Sequence, residues 1–120
     1  MSRQRSILIV EDEPLIAMML EDFIESLGHG VIGPCESVAE ALAAVEADGF
    51  DLAILDVNLK GESVWPVASA LRARGIPFVL ASGGHVEPPP VDFAESPIIE
   101  KPYTIDRVSP IIDAALATAG

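Results

Sequence analysis

Short, densely apolar runs alternate with longer stretches of helical periodicity from one end of this sequence to the other. Ile7-Leu8-Ile9-Val10, Leu52-Ala53-Ile54-Leu55 and Phe78-Val79-Leu80-Ala81 carry no polar residue at odd or even positions. A strand covered on one face only alternates apolar with polar residues, so these runs suit strands buried on both faces. Strands of that kind belong to a parallel sheet with helices packed on either side.

The stretches between them read as helices with punctuated ends. Pro14 suits a first helical turn, where its missing N–H does no harm. Ile16, Leu20, Phe23 or Ile24, and Leu27 then recur at helical spacing before Gly28, which fits a left-handed helix end. Val31-Ile32-Gly33 predicts a weaker strand. A capping box of Ser37 with Glu40 opens the next helix, with Ala41, Leu42 and Val45 as its apolar stripe before Gly49. A third helix runs through Trp65 and Val67 to Leu71 and stops by Gly75. Pro97-Ile98-Ile99 predicts the last strand, and Val108, Ile111, Ile112 and Leu116 mark a helix that starts near Thr104. Residues 82–96 hold Gly83-Gly84 and Pro88-Pro89-Pro90. Consecutive prolines do not fit inside a regular helix, so the fourth crossover is expected to be mostly loop.

Composition excludes several functions. The 120 residues suit one domain, 1–120, with enough chain to bury a core. A net charge of −12 repels nucleic acid, and no basic cluster offsets it, so no nucleic-acid partner is expected. No apolar run approaches the length of about 18 residues that a membrane span needs. The apolar run after Arg3 and Arg5 is too short for a signal-peptide core, and a cytoplasmic location is expected. Cys35 is the only cysteine, which rules out an internal disulfide and a cysteine metal site.

Right-handed crossovers bring the carboxyl ends of all the strands to one edge, where ligands bind in this architecture. The first strand ends in Glu11-Asp12-Glu13, the third in Asp56, the fourth in Ser82, and the fifth leads to Lys101. Asp12 and Asp56, with Glu11 nearby, offer hard oxygen ligands for Mg2+ or Mn2+. Without a cation the close carboxylates repel one another and lower stability. With one bound, a carboxylate oxygen remains free to attack a phosphoryl donor, while Lys101 and Ser82 hold the oxygens of the transferred group. Asp56 alone would read as an ordinary turn or helix cap, and Glu13 suits a helix N-terminus. The four strand ends together favour a shared site.

These pieces, Ile7–Asp12 (ILIVED), Leu52–Leu59 (LAILDVNL), Phe78–Gly83 (FVLASG) and Ile98–Tyr103 (IIEKPY), resemble the receiver domains of two-component response regulators over nearly the whole chain. The resemblance implies a flavodoxin-like, doubly wound, five-stranded parallel sheet of strand order 2-1-3-4-5, with the fourth helix short or absent. It makes Asp56 the phosphoacceptor and Asp12 and Glu11 the metal-binding acids, with the Asn58 carbonyl completing the metal shell. Ser82 becomes the switch hydroxyl and Lys101 the lysine of the site, with a cis bond to Pro102. The implied partner is a histidine kinase or a histidine phosphotransfer protein, and self-association into a homodimer is left open.

Departures from the family pattern are as specific as the matches. Ile98 stands where the family usually has a switching Tyr or Phe, Lys60 where proline is common, and the segment between Ser82 and Lys101 is short and rich in proline. They point to an atypical subgroup. On this reading the chain catalyses only its own phosphorylation and dephosphorylation and is not a turnover enzyme. Two rivals were weighed: a degenerate receiver serving as an interaction module, and a small aspartyl phosphohydrolase. Intact Asp12, Asp56, Ser82 and Lys101 oppose the first. Asn58 opposes the second, since it occupies the place of the second aspartate that such hydrolases use. No role is expected for His29, and only weak cases exist for His85 and Tyr103.

Overall fold

The computed structural model describes residues 5–47, 49–59, 62–82, 98–100 and 105–119. Its elements follow the expected alternation: β1 (Ser6–Val10), α1 (Pro14–Ser26), β2 (Gly30–Cys35), α2 (Val38–Ala47), β3 (Leu52–Asp56), β4 (Asn58–Leu59), β5 (Glu62–Ser63), α3 (Trp65–Ala73), β6 (Phe78–Ser82), β7 (Ile98–Glu100) and α4 (Ile105–Ala119). Five strands form one sheet in the order β2-β1-β3-β6-β7, and every pairing in it is parallel. With the small β4–β5 hairpin set aside, this is the expected order 2-1-3-4-5. The fourth crossover lies outside the described residues.

Strand parity divides the core in two. Leu8, Val10, Ala53, Leu55 and Leu80 face α2 and α3, where Ala41, Val45, Val67, Ala68 and Leu71 cover them. Ile7, Ile9, Leu52, Ile54 and Val79 face the other way, onto Leu20 and Ile24 of α1 and Val108 and Ile112 of α4. Both faces of the central strands are therefore buried, as their unbroken apolar runs require.

Local chemistry sets the boundaries. Pro14 is the first residue of α1, and Gly28, at φ +87°, lets the chain leave that helix while its N–H bonds the Glu25 carbonyl. At α2, the Ser37 hydroxyl accepts the Glu40 N–H at 3.2 Å. The Glu40 carboxylate reaches past Ser37 and accepts the N–H of Glu36 at 2.7 Å. The capping box thus closes one residue earlier than expected.

Strand β2 extends further than its apolar core suggests. It passes through a cis Gly33-Pro34 bond to Cys35, and its register against β1 shifts between Leu8 and Val10. A Cβ at Gly33, where φ is +99°, would stand 2.8 Å from the Ile9 carbonyl oxygen, so only glycine allows this approach. Pro34 is tolerated because β2 is an edge strand.

Candidate metal and phosphoacceptor site

The register of β1 against β3 positions the site. Ile7 pairs with Leu52, and the pairing continues residue by residue to Val10 with Leu55. The next residues along the two strands are Glu11 and Asp56, which therefore leave the sheet side by side. By parity both follow Ile9 and Ile54 onto the face covered by α1 and α4. The Glu11 N–H donates to the Cys35 carbonyl at 3.0 Å, and the Val57 N–H to the Ala81 carbonyl at 3.0 Å, so ladder bonds hold both strand ends.

One carboxylate oxygen from each of Glu11, Asp12 and Asp56 can be chosen so that all lie within 4.8 Å of one another. Glu11 is 1% exposed and Asp56 5% exposed, whereas Asp12 is half-buried and gives the cluster its opening to solvent. One contact of Glu11 was not legible in the sequence: its Oε2 accepts the N–H of Glu13, the N-cap position of α1, at 3.1 Å. The buried carboxylate thereby fixes where α1 starts. An acid two residues before a helix cap was the available signal, overshadowed by the reading of Glu11 as a ligand.

The remaining candidates divide by position. Asn58 begins β4, two residues beyond Asp56. Ser82 ends β6 and pairs with Glu100, while its predecessor Ala81 pairs with Asp56 and Ile99. The backbones of Asp56, Ser82 and Glu100 thus end at the same edge. The Ser82 hydroxyl, Lys101 with its bond to Pro102, His85 and Tyr103 lie outside what is described. His29 takes no part in the site; its Nδ1 accepts the Arg5 N–H at 3.1 Å beside the start of β1.

The donor set suits a hard divalent cation. Three carboxylates converge, two of them shielded from water, and among the described residues no softer ligand belongs to the cluster. Asp12 and Asp56 would hold such an ion, with Glu11 beside them.

Residues 7–109 match the model of the response regulator receiver domain. The chain belongs to that family. It is similar to SdrG from Sphingomonas melonis Fr1, whose solution structure shows 54% identity and a TM-score of 0.86 and covers 98% of this chain and 99% of that one. A BeF3-activated conformation of SdrG aligns with a TM-score of 0.81 at 53% identity, covering 97% of this chain and 99% of that one. The phyllosphere-induced regulator PhyR of Methylorubrum extorquens is 36% identical over 117 residues, 92% of this chain. This receiver spans 43% of the length of PhyR. Among the described residues, no helix is long and apolar enough to cross a membrane.

Proposed function

We propose that this receiver accepts a phosphoryl group on Asp56 from a phosphohistidine partner, either a histidine kinase or a histidine phosphotransfer protein. The observation that carries the reading is the convergence of Glu11, Asp12 and Asp56 at the carboxyl edge of a receiver sheet, with Asp56 almost closed off from water.

An Asp56 carboxylate oxygen attacks phosphorus, forming an O–P bond as the N–P bond of the phosphohistidine breaks. The electron pair of that bond returns to the imidazole nitrogen, which takes up a proton. The clustered carboxylates would hold Mg2+ or Mn2+, which would supply neutralisation of their charge and of the incoming phosphoryl oxygens. Asp12, Asp56 and the Asn58 carbonyl would hold such an ion, with Glu11 beside them bonded to the start of α1. Lys101 and the Ser82 hydroxyl bind the oxygens of the transferred group, and positioning with charge neutralisation supplies most of the catalysis. The protein acts on no outside substrate: it catalyses its own phosphorylation and the hydrolysis that reverses it.

Partner docking has a surface available. Leu15, Met18 and Met19 are exposed on α1, directly after the acidic strand end. An apolar face beside the phosphoacceptor suits the side of a helix that carries the donor histidine. The closely similar SdrG has a BeF3-activated conformation, and fluoroberyllate is a tetrahedral stand-in for a phosphoryl group, which supports the same chemistry here.

Intact mass after incubation with acetyl phosphate tests the proposal, with Mg2+ or with chelator, on wild type and Asp56→Asn. A gain of one phosphoryl group that needs the cation and is absent from the variant is expected. No gain from acetyl phosphate or from a phosphorylated histidine phosphotransfer protein would turn the reading to an interaction module.

A further inference from the structure

The hairpin that follows the phosphoacceptor is tied to a helix across the sheet face. In β4–β5, Asn58 pairs with Ser63 and Leu59 with Glu62. Leu59 and Val64 are both fully buried in the core beneath α2 and α3, which anchors the base of the hairpin. Residues opposite one another in an antiparallel pair share a face, so Glu62 leans the same way as Leu59. Its carboxylate Oε1 meets the N–H of Val38, the first residue of α2, at 3.5 Å. That N–H belongs to the helix N-terminus, where backbone donors lack intrahelical partners and negative charge is favoured.

We propose that Glu62 is a positioning residue for cation binding, because it latches the hairpin onto α2 and so fixes the strand that begins at Asn58. The inference rests on the metal-site reading above. Asn58 lies two residues from Asp56 and is bound to the hairpin on its far side, so any swing of β5 carries the Asn58 carbonyl with it. Two anchors oppose that swing: the buried Leu59 and Val64 at the base, and the Glu62 carboxylate at the side. The other end of the latch is itself held, since α2 follows Cys35, whose carbonyl accepts the Glu11 N–H at 3.0 Å. A path of backbone closed by one side-chain bond, that of Glu62, therefore runs from one metal-binding acid through the start of α2 and the hairpin to the other. Loss of the latch leaves the fold in place and loosens one ligand.

Calorimetric titration with Mg2+ decides the matter, using wild type, Glu62→Ala, Glu62→Gln and Ser37→Ala. Glu62→Ala should weaken Mg2+ binding by about three- to tenfold, the effect of one hydrogen bond supporting a ligand. Glu62→Gln keeps an acceptor oxygen but no charge and should stay within about twofold of wild type, which separates the latch from long-range attraction of the cation. Ser37→Ala removes a different bond from the same helix start and should lower the thermal midpoint without changing Mg2+ affinity. Wild-type affinity in Glu62→Ala overturns the latch alone, as does equal weakening in Ser37→Ala. Failure of wild type itself to bind Mg2+ overturns both the latch and the metal-site reading.

Discussion

Cys35 closes β2 with its side chain packed among Val10, Ala41 and Val45. Burial pushes its thiol pKa up, and the nearby Glu40 carboxylate adds to the shift. A folded pKa above the unfolded one means that the thiol's contribution to stability is complete below the ordinary thiol range. That contribution is lost as pH rises through the folded value. Denaturant midpoints measured from pH 7 upward should therefore hold up to the ordinary thiol range and fall above it, and Cys35→Ala should flatten that part of the curve while starting from a lower stability. A thiol reagent at neutral pH should react with Cys35 far more slowly in the folded protein than in urea. Fast labelling of the native chain would contradict both the burial and the shift. Among single residues the sequence was most informative about acids, because Asp56 and the pair Glu11-Asp12 each directly follow an unbroken apolar run. It was silent about the bond from the start of α1 to Glu11, because whether a carboxylate turns toward a helix start depends on the turn it occupies.

Elements were legible in proportion to their length and burial. β1, β3 and β6 stood out because strands covered on both faces can hold no polar residue, and the helix ends were marked by Pro14, Gly28, Ser37 and Gly75. The full extent of β2 was not, because Gly33 and Pro34 in this edge strand read as a turn. The β4–β5 hairpin was missed for another reason: strands of two residues each have no periodicity to detect. Helix α4 contains a test of its own. Pro110 sits inside Ile105–Ala119 on the exposed side, where it removes a backbone donor and crowds the preceding turn. An interior proline costs a helix about 3 kcal/mol, and less where the helix can bend to relieve the clash. Pro110→Ala should stabilise the protein by about 1–2 kcal/mol and raise the thermal midpoint by several degrees. An unchanged or lowered midpoint would mean that the helix is shaped around the ring.

At the scale of the whole molecule, the proposed metal site ties stability to cation binding. A fold that gathers three carboxylates at one edge carries a repulsion that a cation relieves, so ligand binding and folding should be linked. Mg2+ at ten times its dissociation constant should add about 1.4 kcal/mol to stability, visible as a rise in the thermal midpoint. Asp12→Ala should remove most of that rise. Because one repelling charge is gone, it should also leave the cation-free protein no less stable than wild type. A midpoint that ignores Mg2+ in both proteins would count against the site. At this scale the sequence foretold most: an alternating pattern of elements in 120 residues leaves few topologies, and the receiver family matches over residues 7–109.

The side-by-side exit of Glu11 and Asp56 has a consequence for how this protein tolerates change. Neighbouring strands could slide past each other by one residue and still cover much of their apolar length, since Ile7–Val10 and Leu52–Leu55 are apolar at every position. Such a slip would turn one carboxylate to the opposite side of the sheet, away from its companion. The core is a forgiving ruler and the pair of acids an unforgiving one. A single-residue insertion or deletion in the turns that precede these strands is thus expected to part the two acids even where the sheet still forms.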